Sequence, residues 1–201
     1  MKLPAPEYFY DLQQGSDEWL LVRLGIPTAS EFSSILAKGQ GKTRATYMRK
    51  LIGEVLTDKP STYFESRHTE RGHEMEPEAR SLYELLHDVD VTRVGFVRAG
   101  CVGASPDSLI GDDGLLEIKT RLPHLQIEVL QSGKVPSENI AQLQGQLWVT
   151  GRQWVDYVSY WPALKPFIRR VERDPAYIER LENEVGAFLD EMHAVLKEVR
   201  A

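Results

Sequence analysis

Asp107, Glu117 and Lys119 are the residues of this chain whose types and spacing best suit chemistry. Asp107 follows Pro106 and precedes the apolar pair Leu109-Ile110. The turn signal Asp112-Asp113-Gly114 then separates it from Leu115-Leu116-Glu117-Ile118-Lys119. This pattern predicts two strands joined by a hairpin turn. Residues two apart on a strand face the same side. Glu117 and Lys119 should therefore point one way, and Leu116 and Ile118 into the core. A hairpin that sets Asp107 opposite Glu117 brings two carboxylates and one ammonium to one spot.

Two carboxylates with further oxygen donors suit Mg²⁺ or Mn²⁺, hard cations that keep several of their waters. Such an ion lowers the pKa of a bound water and polarises a phosphoryl oxygen. The Ile118 carbonyl, between the acid and the lysine, is a candidate third ligand. Lys119 could orient a nucleophilic water and offset charge in a phosphoryl-transfer transition state. A Glu-x-Lys pair alone is more often an exposed hairpin with solvated charges. The upstream Ser105-Pro106-Asp107 and the apolar Leu115, Leu116 and Ile118 favour a site.

The elements that must position these groups fit one domain over residues 1–201, a length that can bury a substantial core. Charged residues are 27% and apolar residues 42%, as in ordinary globular proteins, which argues against a disordered or fibrous chain. Cys101 is the single cysteine, so neither an intrachain disulfide nor a cysteine zinc cluster can form. No apolar run approaches a membrane span and no secretory leader is evident, so a cytoplasmic location is expected. The net charge of −6 does not announce a nucleic-acid binder. A nuclease would have to gather its Lys and Arg on one face.

Along the chain, residues 1–15 read as extended and irregular. Ser16 can cap a short helix whose first turn carries Asp17 and Glu18, with Gly25 as its stop. Arg23 falls in the last turn, where dipole compensation is a sufficient role. Thr28 and Glu31 have capping-box spacing, which places Ser30 in a first turn with free N–H donors. Lys38, Lys42 and Arg44 sit in a Gly-containing basic loop. Helices are expected at 46–56 and 67–87, the second carrying Glu74, Glu76 and Glu78 around Pro77. Strands are expected at 89–96, 102–110 and 115–119, forming a mainly antiparallel meander. A helix follows at 123–131, then one that Ser137 caps and that runs to Thr150, with Gln142 and Gln144 beside its apolar stripe. Strands at 154–160 and 167–171 precede a helix opened by Asp174-Pro175 and ending near 199.

Pro106-Asp107 followed by Glu117-Ile118-Lys119 resembles the Pro-Asp…(Asp/Glu)-x-Lys nuclease motif. Three further segments narrow the resemblance to the phage lambda exonuclease family. The first is Gln14-Gly15-Ser16-Asp17-Glu18-Trp19 with Arg23 through Glu31. The second is Gly72 through Arg80. The third is Ala141-Gln142-Leu143-Gln144 with Leu147 through Thr150. The resemblance implies a restriction-endonuclease-like α/β core with a central mixed sheet flanked by helices. It implies a homotrimeric ring around duplex DNA, working with a single-strand annealing protein in phage-type recombination in the bacterial cytoplasm. It implies Asp107, Glu117, the Ile118 carbonyl and Glu76 as metal ligands for Mg²⁺, with Mn²⁺ as a substitute. Lys119 and Gln142 match residues that act on the nucleophilic water. Arg23, Ser30 and Ser105 match a pocket for the 5′-terminal phosphate. Lys38, Lys42 and Arg44 fall on a DNA-contacting loop, where Gln40 stands in place of the family's groove-reading arginine. The family's strand-separating residue has a polar counterpart here, Arg67-His68-Thr69, so no wedge is assigned.

The expected activity is thus a Mg²⁺-dependent exonuclease that degrades one strand of linear duplex DNA 5′ to 3′ and leaves a 3′ overhang. A structure-selective endonuclease on the same core is the enzymatic alternative, separated by whether closed circular DNA is cut. A non-catalytic DNA-binding module of a recombination complex is the other, separated by binding without cleavage.

Overall fold

The computed structural model describes residues 2–37, 42–61 and 67–201, with side chains at all of these except 42 and 67–73. The first half holds strand β1 (Glu7–Phe9), helix α1 (Asp17–Val22), a 3-10 turn (Ala29–Glu31), α2 (Phe32–Leu36), α3 (Lys42–Thr57) and α4 (Arg67–His87). Strands β2 (Val91–Thr92), β3 (Phe96–Ala99), β4 (Val102–Ala104), β5 (Ser108–Ile110) and β6 (Gly114–Thr120) follow. The chain closes with α5 (Pro123–Ser132), α6 (Ser137–Thr150), β7 (Trp154–Tyr160), β8 (Phe167–Glu172) and α7 (Pro175–Arg200). The five-stranded sheet has the order β2-β5-β6-β7-β8, and a smaller sheet the order β1-β3-β4. The larger sheet is mixed. β5 and β6 are antiparallel, while β6 and β7 are parallel and joined by α5 and α6.

The expected hairpin forms, with Ser108 opposite Leu116 and Ile110 opposite Gly114. One step further, the Asp107 N–H donates to the Leu116 carbonyl at 3.1 Å, which brings Asp107 level with Glu117. The expected single core face of β6 needs correction. Leu116 and Ile118 pack with Ala79, Tyr83 and Val158, but Leu115 on the other face joins the larger core of Leu143, Leu147 and Val155. Glu117 shares that second face and is itself only 2% exposed. The cause is the parallel β6–β7 pairing. Its helical crossover covers one face of the sheet and α4 the other, so the central strand is buried twice.

Two other expectations change. The strands read at 89–96 and 102–110 are each divided between the two sheets. Pro106 has no N–H to continue a ladder. The Gln14 side chain donates to the carbonyls of Val94 and Pro106, both at 3.2 Å, at the two places where the chain changes sheet. The Thr28 side chain makes no capping bond, nor does Ser137, which is the first helical residue after the cap Pro136. Helix α4 runs over the expected span and continues through Pro77. Asp174 caps α7 by accepting the Ala176 and Tyr177 N–H groups, each at 3.0 Å. Among the described residues, no helix is long and apolar enough to cross a membrane.

Helix α6 lies deepest, with Leu143 through Thr150 all buried. Its close approach to the turn before α2 depends on Gly145. A Cβ added there would stand 2.4 Å from the Phe32 ring and 3.2 Å from Ala29 Cβ. Phe32 is fully buried against Trp148 and has no room to yield. Gly to Ala in a helix ordinarily gains up to about 1 kcal/mol, and overpacking costs about 1–3 kcal/mol. Gly145→Ala should therefore destabilise the fold by up to about 2 kcal/mol in urea unfolding. A rise in the unfolding midpoint would show that α6 can move away from the turn.

Candidate active site

Glu117 is carried to the floor of a cleft of about 330 Å³ by the middle of β6. A buried carboxylate must be paired or hydrogen-bonded, and α6 supplies most of the donors. Gln142 Nε2 donates to Glu117 Oε1 at 2.6 Å, and Gln146 Nε2, one turn later, donates to Oε2 at 2.6 Å. Lys119 Nζ stands 2.7 Å from Oε1. Asp107 faces Glu117 across the hairpin and accepts the Ile118 N–H on Oδ2 at 2.5 Å. Glu76, on α4, forms an ion pair with Arg80 one turn along the helix. Arg80 is buried, donates to Ser108 Oγ at 3.0 Å and reaches the Asp107 carbonyl at 3.4 Å. It thereby ties the acid-bearing helix to the edge of the hairpin.

The opposite wall comes from the first thirty residues. Trp19 is buried, and its Nε1 donates to the Gly95 carbonyl at 2.9 Å and to Ser105 Oγ at 3.1 Å. Its ring carries the Arg23 guanidinium at 3.6 Å from the centroid. Arg23 also donates to Thr28 Oγ1 at 3.2 Å, and that hydroxyl lies 3.2 Å from Ser30 Oγ. This explains the missing capping bond, since Thr28 is already engaged by Arg23 and Ser30. The Thr28 N–H donates to the Tyr47 hydroxyl at 3.1 Å. Burial pushes the Tyr47 pKa up to about 12, so it stays neutral there.

Burial and then the charges of Glu117 and Glu76 hold the Asp107 carboxyl well above the usual carboxylate range. Lys119 and the Ile118 N–H oppose this without cancelling it. Burial pulls the Lys119 ammonium down, but Glu117 and Asp107 outweigh it and its pKa is raised. Lys119 is therefore a cation at neutral pH and cannot act as a free base. The unrelieved repulsion at Asp107 is what a divalent cation between the carboxylates would remove. The available donors are carboxylate and peptide oxygens, the kind that Mg²⁺ and Mn²⁺ accept. Among the described residues, no three acidic, His or Cys side chains form a ready-made cage. A two-carboxylate site completed by water fits that arrangement.

The structure thus brings Asp107, Glu117, Lys119 and Gln142 into one cleft with Arg23, Ser30 and Ser105. Glu76 borders a second cleft that meets the first at Asp107. Arg44 lies elsewhere, 2.5 Å from Glu191 and over the Phe188 ring. Lys38 and Gln40 fall outside the described residues, as do the side chains of Lys42 and of Arg67, His68 and Thr69. The sequence reading missed Gln146, Trp19, Thr28 and Arg80. Gln146 was detectable as a second glutamine at i+4 from Gln142, one turn on along the same helix face.

A family model described as a YqaJ-like viral recombinase domain matches residues 18–153. Among solved structures, an alkaline exonuclease (LHK-Exo) from Laribacter hongkongensis is 38% identical, covering 92% of this chain and 96% of its own, with a TM-score of 0.85. The same protein in complex with dAMP gives 39% identity over the same shares, with a TM-score of 0.86. A phage related exonuclease from Haemophilus somnus 129PT shares the fold at 13% identity, over 87% of this chain and 96% of its own, with a TM-score of 0.64. Among curated protein sequences, none matches.

The raised Asp107 pKa fixes a sign for stability. A carboxyl whose folded pKa lies above its unfolded value favours folding at low pH, and loses that contribution as pH rises through the folded pKa. With EDTA present, the protein should lose stability between the ordinary carboxylate range and the raised value. Each step of one in pH across that interval should remove about 1.4 kcal/mol. Asp107→Asn should flatten that slope, as measured by urea unfolding across pH. An unchanged slope in the variant would place the titrating group elsewhere.

Proposed function

The chain belongs to the family of YqaJ-like viral recombinase domains, and from that footing we propose that it is a metal-dependent exonuclease acting on linear double-stranded DNA. It degrades one strand from the 5′ end, releases mononucleotides and leaves a 3′ overhang. A DNA exonuclease is the broader statement that the family and the alkaline exonuclease at 38% identity support. The observation that carries the finer reading is the meeting, in one cleft, of the acid–lysine cluster with Arg23, Ser30 and Ser105.

Asp107 and Glu117, with the Ile118 carbonyl and Glu76, would hold Mg²⁺, or Mn²⁺ in its place. When bound, the ion supplies Lewis-acid stabilisation of phosphoryl charge and a more acidic water. Lys119 remains protonated and faces the charge that develops on the phosphate in the transition state. Gln142 and Gln146 fix the plane of the Glu117 carboxylate. Arg23, steadied on Trp19, presents a planar fork to the terminal phosphate beside the hydroxyls of Ser30 and Ser105. Anchoring the 5′ phosphate there sets which bond lies at Asp107, and hence the direction of digestion. The working particle in this reading is a homotrimer on duplex DNA, acting beside a single-strand annealing protein.

Asp107→Ala and Glu117→Ala should each abolish Mg²⁺-dependent digestion of 5′-phosphorylated linear duplex while DNA binding persists. Closed circular duplex should stay intact with the wild type. Activity within a few-fold of wild type in either variant would sink the assignment, and cleavage of the circle would make the protein an endonuclease. Wild type should also prefer a 5′-phosphate over a 5′-hydroxyl end. A charge-assisted contact is worth roughly 1.5–3 kcal/mol, or about one to two orders of magnitude in rate. Arg23→Ala should erase most of that preference and leave the hydroxyl end nearly unaffected. A variant that keeps its full preference reduces Arg23 to a helix-end charge.

A further inference from the structure

The second cleft, of about 770 Å³, shares only Asp107 and Gln14 with the first among the described residues. Its walls are polar, and among the described residues lining it Arg93 is the cation beside Asp11 and Glu76. Its distinctive feature is Tyr10, which is 52% exposed. The Tyr10 ring stacks on Tyr8 at 5.9 Å and 14°, and the Tyr8 hydroxyl donates to the Thr150 carbonyl at 3.3 Å. Tyr10 is therefore a braced platform, supported on one ring face and accessible to solvent.

The loop behind Tyr10 is pinned as well. Gln14 donates to the carbonyls of Val94 and Pro106. The Gly95 N–H donates to the Phe9 carbonyl at 2.9 Å. A Cβ on Gly95 would stand 2.1 Å from the Leu12 carbonyl oxygen, so this close crossing requires glycine. A loop held this way keeps the Tyr10 wall at a fixed distance from Asp107.

The geometry points to the second cleft as the binding site for the nucleotide just beyond the scissile phosphate, with its base stacked on Tyr10. This rests on the exonuclease reading above. If the terminal phosphate sits with Arg23, Ser30 and Ser105, the first nucleotide fills the first cleft and its 3′ phosphate lies at Asp107. The strand must then continue into space that adjoins Asp107, and the second cleft adjoins it. Stacking serves an enzyme that digests any sequence, because every base offers a π-face. Arg93 is the cation available to the phosphate that follows.

The test uses the full chain and 5′-phosphorylated trinucleotides whose first linkage resists hydrolysis, with Mg²⁺ present and 2-aminopurine at position one or two. Wild type and Tyr10→Phe should quench the fluorescence at position two, and Tyr10→Ala should restore it. Tyr10→Ala should also weaken trinucleotide binding about 5- to 150-fold, the range of a base–aromatic contact. Quenching at position one should not depend on Tyr10. Equal binding and equal position-two quenching in Tyr10→Ala would overturn the inference, as would an effect confined to position one. Both those results leave wild-type digestion of duplex intact and so spare the exonuclease reading. A wild type that neither digests duplex nor binds the trinucleotide removes both.

Discussion

The burial of Glu117 is the constraint from which much of the structure follows. A carboxylate on the central strand of a sheet covered on both faces is costly unless every oxygen has donors. The chain meets this with Gln142, Gln146 and Lys119. For the glutamines to reach, α6 must lie in the core, and it can lie there only because Gly145 lets it close on Phe32. The depth of α6 in turn decides that Gln142 and Gln146, one turn apart on it, point at the site. A carboxylate at the surface would have imposed none of this.

A second set of contacts joins parts of the chain that are far apart in sequence. Trp19 and Gln14 lie in the first twenty residues, yet their donors end on Gly95, Ser105, Val94 and Pro106. These are the points where strands leave one sheet for the other and ladder partners run out. The side chains that satisfy those carbonyls also form walls of the two clefts. The same hydrogen bonds that make the sheet break tolerable therefore place Arg23 and Tyr10 relative to Asp107.

Much of this was legible in the sequence where local signals agreed. The Asp107–Glu117 register followed from a turn and alternation, the α4 and α7 spans from periodicity and caps, and the acid–lysine cluster from residue type. What failed was long-range. The strands at 89–96 and 102–110 read as continuous from their apolar content alone, although the alternation loses phase between Val91 and Val94 and Pro106 interrupts the second. The carbonyl acceptors that end them are satisfied by Gln14, which no local pattern reveals. Thr28 had capping-box spacing with Glu31, but Arg23 and Ser30 took its hydroxyl. The second buried face of β6 was hidden because Leu115 and Glu117 alternate as a half-exposed strand would. Only the parallel pairing with β7 buries them. Arg44 looked free for DNA, and its partner Glu191 lies on the last helix.

The electrostatics of the site also reconcile a chain of net charge −6 with an anionic substrate. Burial, Glu117 and Glu76 hold the Asp107 carboxyl well above the usual carboxylate range, while Glu117 and Asp107 raise Lys119, which stays charged. In the proposed mechanism a proton and a divalent cation would therefore compete for one carboxylate. In the proposed mechanism the proton wins at low pH, which weakens the metal site, and the cation wins as pH rises. With a cation held there, the acids would cease to repel a phosphate, and Lys119 and Arg23 would dominate the field in the cleft. The cluster that would exclude DNA when bare becomes, with its charge compensated, the place where a phosphodiester is best stabilised. Stabilisation of the reacting phosphodiester, as distinct from DNA binding, would then depend on the loaded site and not on the charge of the protein as a whole.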